Sequence, residues 1–225
     1  MNWVSSFQLF LFDFDGLLVD TERLHFRAYR EALQERGHFL DWDFSSYCRY
    51  AHLEADSLKK ALIGRFPVLS LDWSSFYEEK RSRYLSLMNE GQLELMPGVE
   101  RLLFLLTERG ARRCVVTHSP RAAVERICSK LPLLHMIPHW ITREDYKEPK
   151  PHPECYRKAI SLYGKKGDRI IGFEDSVRGW TALSQTEALP LLICSDTHPQ
   201  LRWAQGALHF ASFMEINEGK LLLEF

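Results

Sequence analysis

Phe7-Gln8-Leu9-Phe10-Leu11-Phe12-Asp13-Phe14-Asp15-Gly16-Leu17-Leu18-Val19-Asp20-Thr21-Glu22 is the stretch that decides how this chain folds. The run from Phe7 to Phe12 is apolar except for Gln8. It is too short for a helix of useful length and it stops at two acidic residues and Gly16, which reads as a buried strand. Asp20-Thr21-Glu22 then offers a helix N-cap. Leu24, Ala28 and Ala32 follow at steps of four, and Gly37 offers a stop. The order is therefore strand, acidic loop, helix.

Working outward, the stretch from Asp41 to Gln92 contains helix-like pieces at about 55–65 and 73–89 and no convincing strand. After Met96-Pro97-Gly98 the pattern changes to alternation. Val99, Leu102, Leu103 and Leu106 mark a helix, and Arg113 to Thr117 a strand. Helices are expected at 120–130, 153–163 and 176–186. Strands are expected at His139–Ile141, Arg169–Phe173 and Leu189–Cys194. Strands alternating with helices predict an α/β fold with a parallel sheet and right-handed crossovers.

Composition narrows the classes. The 225 residues carry 29 Lys+Arg against 30 Asp+Glu, a net charge of -1. No basic excess is present to displace counterions from a polynucleotide, so no nucleic-acid partner is expected. The five cysteines form no Cys-x-x-Cys pair, and dispersed thiols suit a reducing, cytoplasmic setting. The first apolar run is too short to span a membrane, so no membrane partner is expected. His135 and His139 are four apart, but Pro138 between them spoils the helix that a metal-binding pair would need.

In open parallel sheets, ligands sit beyond the carboxyl ends of the strands. Those ends collect Asp13 and Asp15 from the first strand and Thr117, His118 and Ser119 from the second. The third contributes Lys150 through its loop, and the fourth Glu174 and Asp175. Carboxylates gathered on one rim repel unless a cation lies among them. Hard oxygen donors suit Mg²⁺, which keeps few carboxylates and completes its shell with water and substrate phosphate. The lysine and hydroxyl beside it would receive an anion, so the rim is read as a phosphate site.

These segments, in this order, closely resemble the four motifs of the haloacid dehalogenase superfamily. Asp13-Phe14-Asp15-Gly16 matches the first, Val115-Val116-Thr117-His118-Ser119 the second, Lys150-Pro151 the lysine motif, and Gly172-Phe173-Glu174-Asp175-Ser176 the fourth. The resemblance implies a Rossmann-like core over 1–19 and 96–225, with an all-helical cap inserted over 20–95. It also implies that Asp13 is a nucleophile that forms an aspartyl phosphate, and that Asp15 is the general acid and base. Thr117, His118 and Lys150 would bind phosphoryl oxygens. Asp13, the carbonyl of Asp15 and Asp175 would hold Mg²⁺, with Glu174 supporting them.

The same resemblance points to His25 and Lys80 as cap residues that approach the substrate. Relatives of the β-phosphoglucomutase type often have a Gly-x-x-Arg element in the cap. Here Ala51-His52-Leu53-Glu54 stands in its place, with Arg49 nearby as a possible substitute. A mutase must anchor a second phosphate, for which arginine is the natural bidentate partner. The expected activity is therefore Mg²⁺-dependent hydrolysis of a small phosphorylated metabolite. A β-phosphoglucomutase-type phosphomutase and a non-catalytic phosphometabolite-binding protein on the same fold are the alternatives. No oligomeric state is implied.

Overall fold

The computed structural model describes residues 2–51, 56–91 and 93–221. Six parallel strands form one sheet: β1 (Leu9–Phe12), β2 (Arg112–Val116), β3 (His139–Ile141), β4 (Ile170–Glu174), β5 (Leu189–Ile193) and β6 (Leu208–Phe210). Their spatial order is β3-β2-β1-β4-β5-β6. The chain runs outward from β1 in both directions, which creates the crevice where doubly wound sheets bind ligands. β1 lies at that point, with Phe12 opposite Val115 of β2 and Phe173 of β4.

Period-two packing explains why β1 is apolar throughout. Phe10 and Phe12 enter a hydrophobic cluster on one face of the sheet, and Leu9 and Leu11 enter another on the opposite face. Both sides are covered, as in a parallel sheet with helices on each face. α5 (Val99–Glu108) and α6 (Arg121–Lys130) cover the first face, and α7 (Glu154–Tyr163) and α8 (Val177–Leu183) the second. α8 approaches β4 so closely that a Cβ on Gly172 would lie 2.5 Å from the Leu183 side chain.

Between β1 and α5 the described residues are helical: α1 (Thr21–Glu35), α2 (Phe44–Ala51), α3 (Ser57–Arg65) and α4 (Trp73–Asn89). Asp20 caps α1 by accepting a 3.3 Å hydrogen bond from the Arg23 amide. α1 and α4 pack along each other. Phe26, Tyr29, Leu33, Tyr47, Leu62 and Phe76 form a hydrophobic cluster separate from those on the sheet. Arg36 at the end of α1 clamps α4 through both oxygens of Glu79. The near ends of this pair, Leu24 and Ala28 on α1 and Leu87 and Met88 on α4, join the main core instead. The chain enters and leaves the helical segment side by side, where the Asp20 amide bonds the Glu94 carbonyl and the Met96 amide bonds the Leu18 carbonyl.

The structure adds to the expected elements. β1 begins at Leu9, because residues Asn2–Ser6 form a 3₁₀ turn that packs Trp3 and Val4 into the core. α2, β6 and a short terminal helix α9 (Glu218–Leu221) were not anticipated. α3 begins at Ser57, and His52, Leu53, Glu54 and Ala55 lie outside the described residues. α8 ends at Leu183, three residues early. All five cysteines are free, and no helix among the described residues is long and apolar enough to cross a membrane.

Candidate active site

Beyond the carboxyl end of β1 the backbone stays in register for one more residue, with the Asp13 amide donating to the Phe173 carbonyl. It then turns at Gly16, whose φ of 76° is the left-handed conformation that glycine adopts without strain. A Cβ there would lie 2.3 Å from Asp175 Oδ2, so the glycine also makes room for that carboxylate. Asp15 therefore lies past the strand, and loop geometry brings it into the same chamber as Asp13. Both line one chamber of about 220 Å³ with Thr117, His118, Ser119, Lys150 and Asp175.

Asp13 and Asp15 have different surroundings. The Lys150 ammonium donates to Asp13 Oδ1 at 2.5 Å and to the Val116 carbonyl at 2.9 Å, and pairs with Glu174 Oε1 at 2.7 Å. An ammonium has three protons, and all three are engaged here. Burial by itself would lower the Lys150 pKa, but the Asp13 and Glu174 carboxylates outweigh it and hold the amine charged. Among the described residues Asp15 has no cationic partner of this kind. Ser119 donates to its Oδ2 at 2.6 Å and Thr21 to its Oδ1 at 2.9 Å, while Thr117 lies 3.4 Å away. Burial pushes its pKa up to about 6, with repulsion from Asp13 adding to the rise and the Ser119 and Thr21 hydroxyls opposing it. One carboxylate is thus neutralised by an ion pair, and the other is poised to carry a proton near neutral pH.

Glu174 is fully buried. Its burial and the nearby Asp13 raise its pKa, against the opposing pull of Lys150. Tyr156 donates to Oε1, while Oε2 is buried without a hydrogen-bond partner. Gly179 on α8 leaves the space this carboxylate fills, since a Cβ there would lie 2.0 Å from Oε2. Carboxylate oxygens of Asp13, Glu174 and Asp175 lie within 4.8 Å of one another. This buried, all-oxygen donor set with an orphaned acceptor fits a hard divalent cation such as Mg²⁺. Glu174 is one of the three members of that cluster.

The remaining candidates divide. Thr117 is buried, and its hydroxyl accepts from the Ser119 amide at 2.9 Å. His118 lines the chamber, but its Nδ1 lies 3.0 Å from the Tyr146 hydroxyl, which itself donates to the Thr117 carbonyl. Nδ1 therefore carries the proton and donates to Tyr146, which leaves Nε2 an acceptor. Burial and the neighbouring Arg178 and Arg143 push the His118 pKa down to about 4. The neutral ring has no proton to offer a phosphate from Nε2, so only its backbone amide suits that role. Arg49 is exposed on α2, because that helix turns Tyr47 and Cys48 inward, and it lines neither this chamber nor the adjoining cleft.

His25 and Lys80 meet across the α1–α4 pair. The buried Lys80 ammonium donates to His25 Nδ1 at 2.7 Å and lies over the rings of Tyr29, Tyr84 and Tyr77. Burial and Lys80 drive the His25 pKa down to about 3, so the ring is neutral and its proton sits on Nε2. Tyr84 stacks on it at 4.0 Å between centroids. His25 and Asp15 line both this chamber and a larger cleft of about 500 Å³ between α4 and α6. Sequence reasoning passed over Tyr156, Tyr146 and Arg178, which lack a motif of their own. Arg178 lines the chamber with a buried Nε that has no hydrogen-bond partner.

Comparisons with known proteins agree with this geometry. Residues 7–185 match the family model of the haloacid dehalogenase-like hydrolases. Protein CbbY of Cereibacter sphaeroides is 30% identical over 181 residues, covering 76% of this chain and 77% of that protein. Hexitol phosphatase B of Escherichia coli is 27% identical over 216 residues, covering 94% and 95%. The crystal structure of CbbY from Rhodobacter sphaeroides in complex with phosphate superposes with a TM-score of 0.70 at 25% identity, covering 96% of this chain and 99% of that one. With a matching family model over most of its length and the motif residues gathered at one site, the chain belongs to the haloacid dehalogenase-like hydrolases.

Proposed function

We propose that the protein is a Mg²⁺-dependent phosphatase that hydrolyses a small phosphorylated metabolite through an aspartyl phosphate on Asp13. The observation that carries this reading is the contrast between Asp13, ion-paired to Lys150, and Asp15, a carboxyl with a pKa near 6 in the same chamber. A nucleophile must be ionised and a general acid must hold a proton, and these two environments provide one of each.

In the first half-reaction an Asp13 oxygen bonds to phosphorus, the bond from phosphorus to the leaving oxygen breaks, and Asp15 gives its proton to that oxygen. In the second, Asp15 takes a proton from water and the water oxygen bonds to phosphorus. The phosphorus–Asp13 bond then breaks to release phosphate and regenerate the carboxylate. Lys150 offsets negative charge beside the phosphoryl group, and it must exchange one of its three present contacts to donate to a phosphoryl oxygen. Asp13, Glu174, Asp175 and the Asp15 carbonyl would hold Mg²⁺, which when bound supplies positive charge to the carboxylates and phosphoryl oxygens. The helices of 20–95 serve as a cap over this chamber. Lys80 holds His25 through Nδ1, which leaves Nε2–H as the donor a substrate group could use.

A phosphate-release screen over sugar phosphates, polyol phosphates, phosphoglycolate and nucleotides, with Mg²⁺ and with EDTA, tests the reading. Release that requires Mg²⁺ supports it. Mg²⁺-independent release, or release from no phosphomonoester, counts against it. Activity on a hexose 1-phosphate only with added bisphosphate would favour the phosphomutase.

A further inference from the structure

The cleft beside Asp15 differs in charge from the phosphate chamber. The chamber is lined by Asp13, Asp15, Glu22 and Asp175 against Lys150 and Arg178. The cleft is lined by Lys80, Arg81 and Arg126, and Asp15 is the one carboxylate among the described residues that line it. Its two walls are helix faces. On α4, Tyr77, Lys80, Arg81 and Tyr84 recur at the three- and four-residue spacing of one stripe. On α6, Ala122, Ala123 and Arg126 form the opposing face. Arg126 follows the two alanines by one turn of the helix.

These arginines are not used up by the fold. Arg121, five residues before Arg126, is committed to Asp145 at 3.0 Å, whereas Arg126 has no ion pair among the described residues. Among the described residues Arg81 pairs with Glu78 alone, at 3.8 Å and with both side chains 65% exposed, a pair worth close to nothing in water. One arginine belongs to the inserted helices and the other to the core, so movement of α4 toward α6 would bring both guanidiniums toward a ligand held between them. The leaving group of a phosphoryl group bound at Asp13 must extend past its acid, Asp15, and Asp15 opens into this cleft.

We propose that the substrate is a phosphomonoester whose leaving alcohol carries a second anionic group, received by Arg81 from α4 and Arg126 from α6. The inference rests on the phosphatase reading for its direction, since it places the leaving group on the Asp15 side. Cleft size suits a small metabolite. Arginine suits a carboxylate or a second phosphate equally, because it donates bidentately to both.

The test compares matched substrates that differ by one anionic group: glycerol 3-phosphate with 3-phosphoglycerate, and a hexose 6-phosphate with the 1,6-bisphosphate. Wild-type kcat/KM should be higher for the doubly anionic member of at least one pair, and which pair responds separates carboxylate from phosphate. R81A and R126A should each raise KM for that member about 10- to 100-fold. They should leave kcat and the singly anionic member unchanged, with partial recovery in R81K and R126K. No preference in the wild type, or equal loss on both members, overturns the inference. Should no phosphomonoester be turned over, the hydrolase reading fails separately. Calorimetric binding of the same pairs to D13N protein with Mg²⁺ then decides. Tighter binding of the doubly anionic member that disappears in the D13N/R81A/R126A protein supports the inference, and equal binding overturns it.

Discussion

The phosphate chamber and the adjoining cleft share Asp15 and His25, yet they are built in different ways. The chamber gathers side chains from the ends of three strands and the loop before α7, and it is tightly tied. Lys150 spends every proton, Asp15 accepts from hydroxyls on both oxygens, and two glycines clear room for carboxylates. The cleft is made from two opposing helix faces, and its arginines are exposed and loosely held. Preorganised charge is what a chemical step needs, because nothing must be reordered at the moment of reaction. Loosely held cations can adapt to whichever leaving group arrives. The comparison predicts that damage in the chamber costs turnover and stability, while damage in the cleft changes substrate choice.

The largest expected effect is at Asp13. Asp13→Asn should lower phosphate release by at least about 10³-fold with secondary structure unchanged, since no neighbouring group can replace an absent nucleophile. Release and circular dichroism measured on one preparation check this. Next is Lys150→Ala, which leaves the buried Asp13 and Glu174 without their cation. It should cost about 3 kcal/mol or more of stability in denaturant unfolding at neutral pH. The cost should shrink in acid, where Glu174, whose pKa is raised, takes up a proton and no longer needs the cation. An equal cost at every pH would break the claim that this pair depends on its charge.

Asp15 gives a smaller and graded effect. Its raised pKa means that the protonated form is present below about 6 and is lost above it. Formation of the phosphoenzyme requires that form, so its rate should fall about tenfold per pH unit above this point. Breakdown requires the ionised form and should have the opposite dependence. Single-turnover kinetics resolve the two steps. Last is Lys80, whose contact with His25 crosses from α4 to α1. Lys80→Met should lower kcat/KM by about tenfold and make the His25 ring protonate at higher pH in NMR titration, because the cation that opposes its charge is gone. Preserved titration would show that burial alone controls the ring.

Much of the chamber was legible in the sequence because its residues sit next to strand ends, where an apolar run stops at a polar residue. Asp13, Thr117, Glu174 and Asp175 are all marked in that way, whereas Lys150 lies in the loop between β3 and α7 and is marked by its Lys-Pro motif; the strand order places them together. The cleft was not legible, because α4 and α6 are distant in sequence and their spacing says which residues share a face but not what faces them. Lys80 was found through resemblance alone, and Arg81 and Arg126 were not found. Arg49 was assigned by nearness in sequence, but α2 buries the opposite side. α2 and β6 were missed because short elements take their stability from tertiary packing and carry little periodic signal of their own.

The claim that Asp13 carries the phosphoryl group is tested most directly by rapid acid quench during turnover with Mg²⁺, followed by peptide mass spectrometry. One labile phosphoryl group is expected on the peptide containing Asp13, absent from the D13N protein. Steady phosphate release with no phosphoryl group on that peptide, or with the group on another residue, would contradict it.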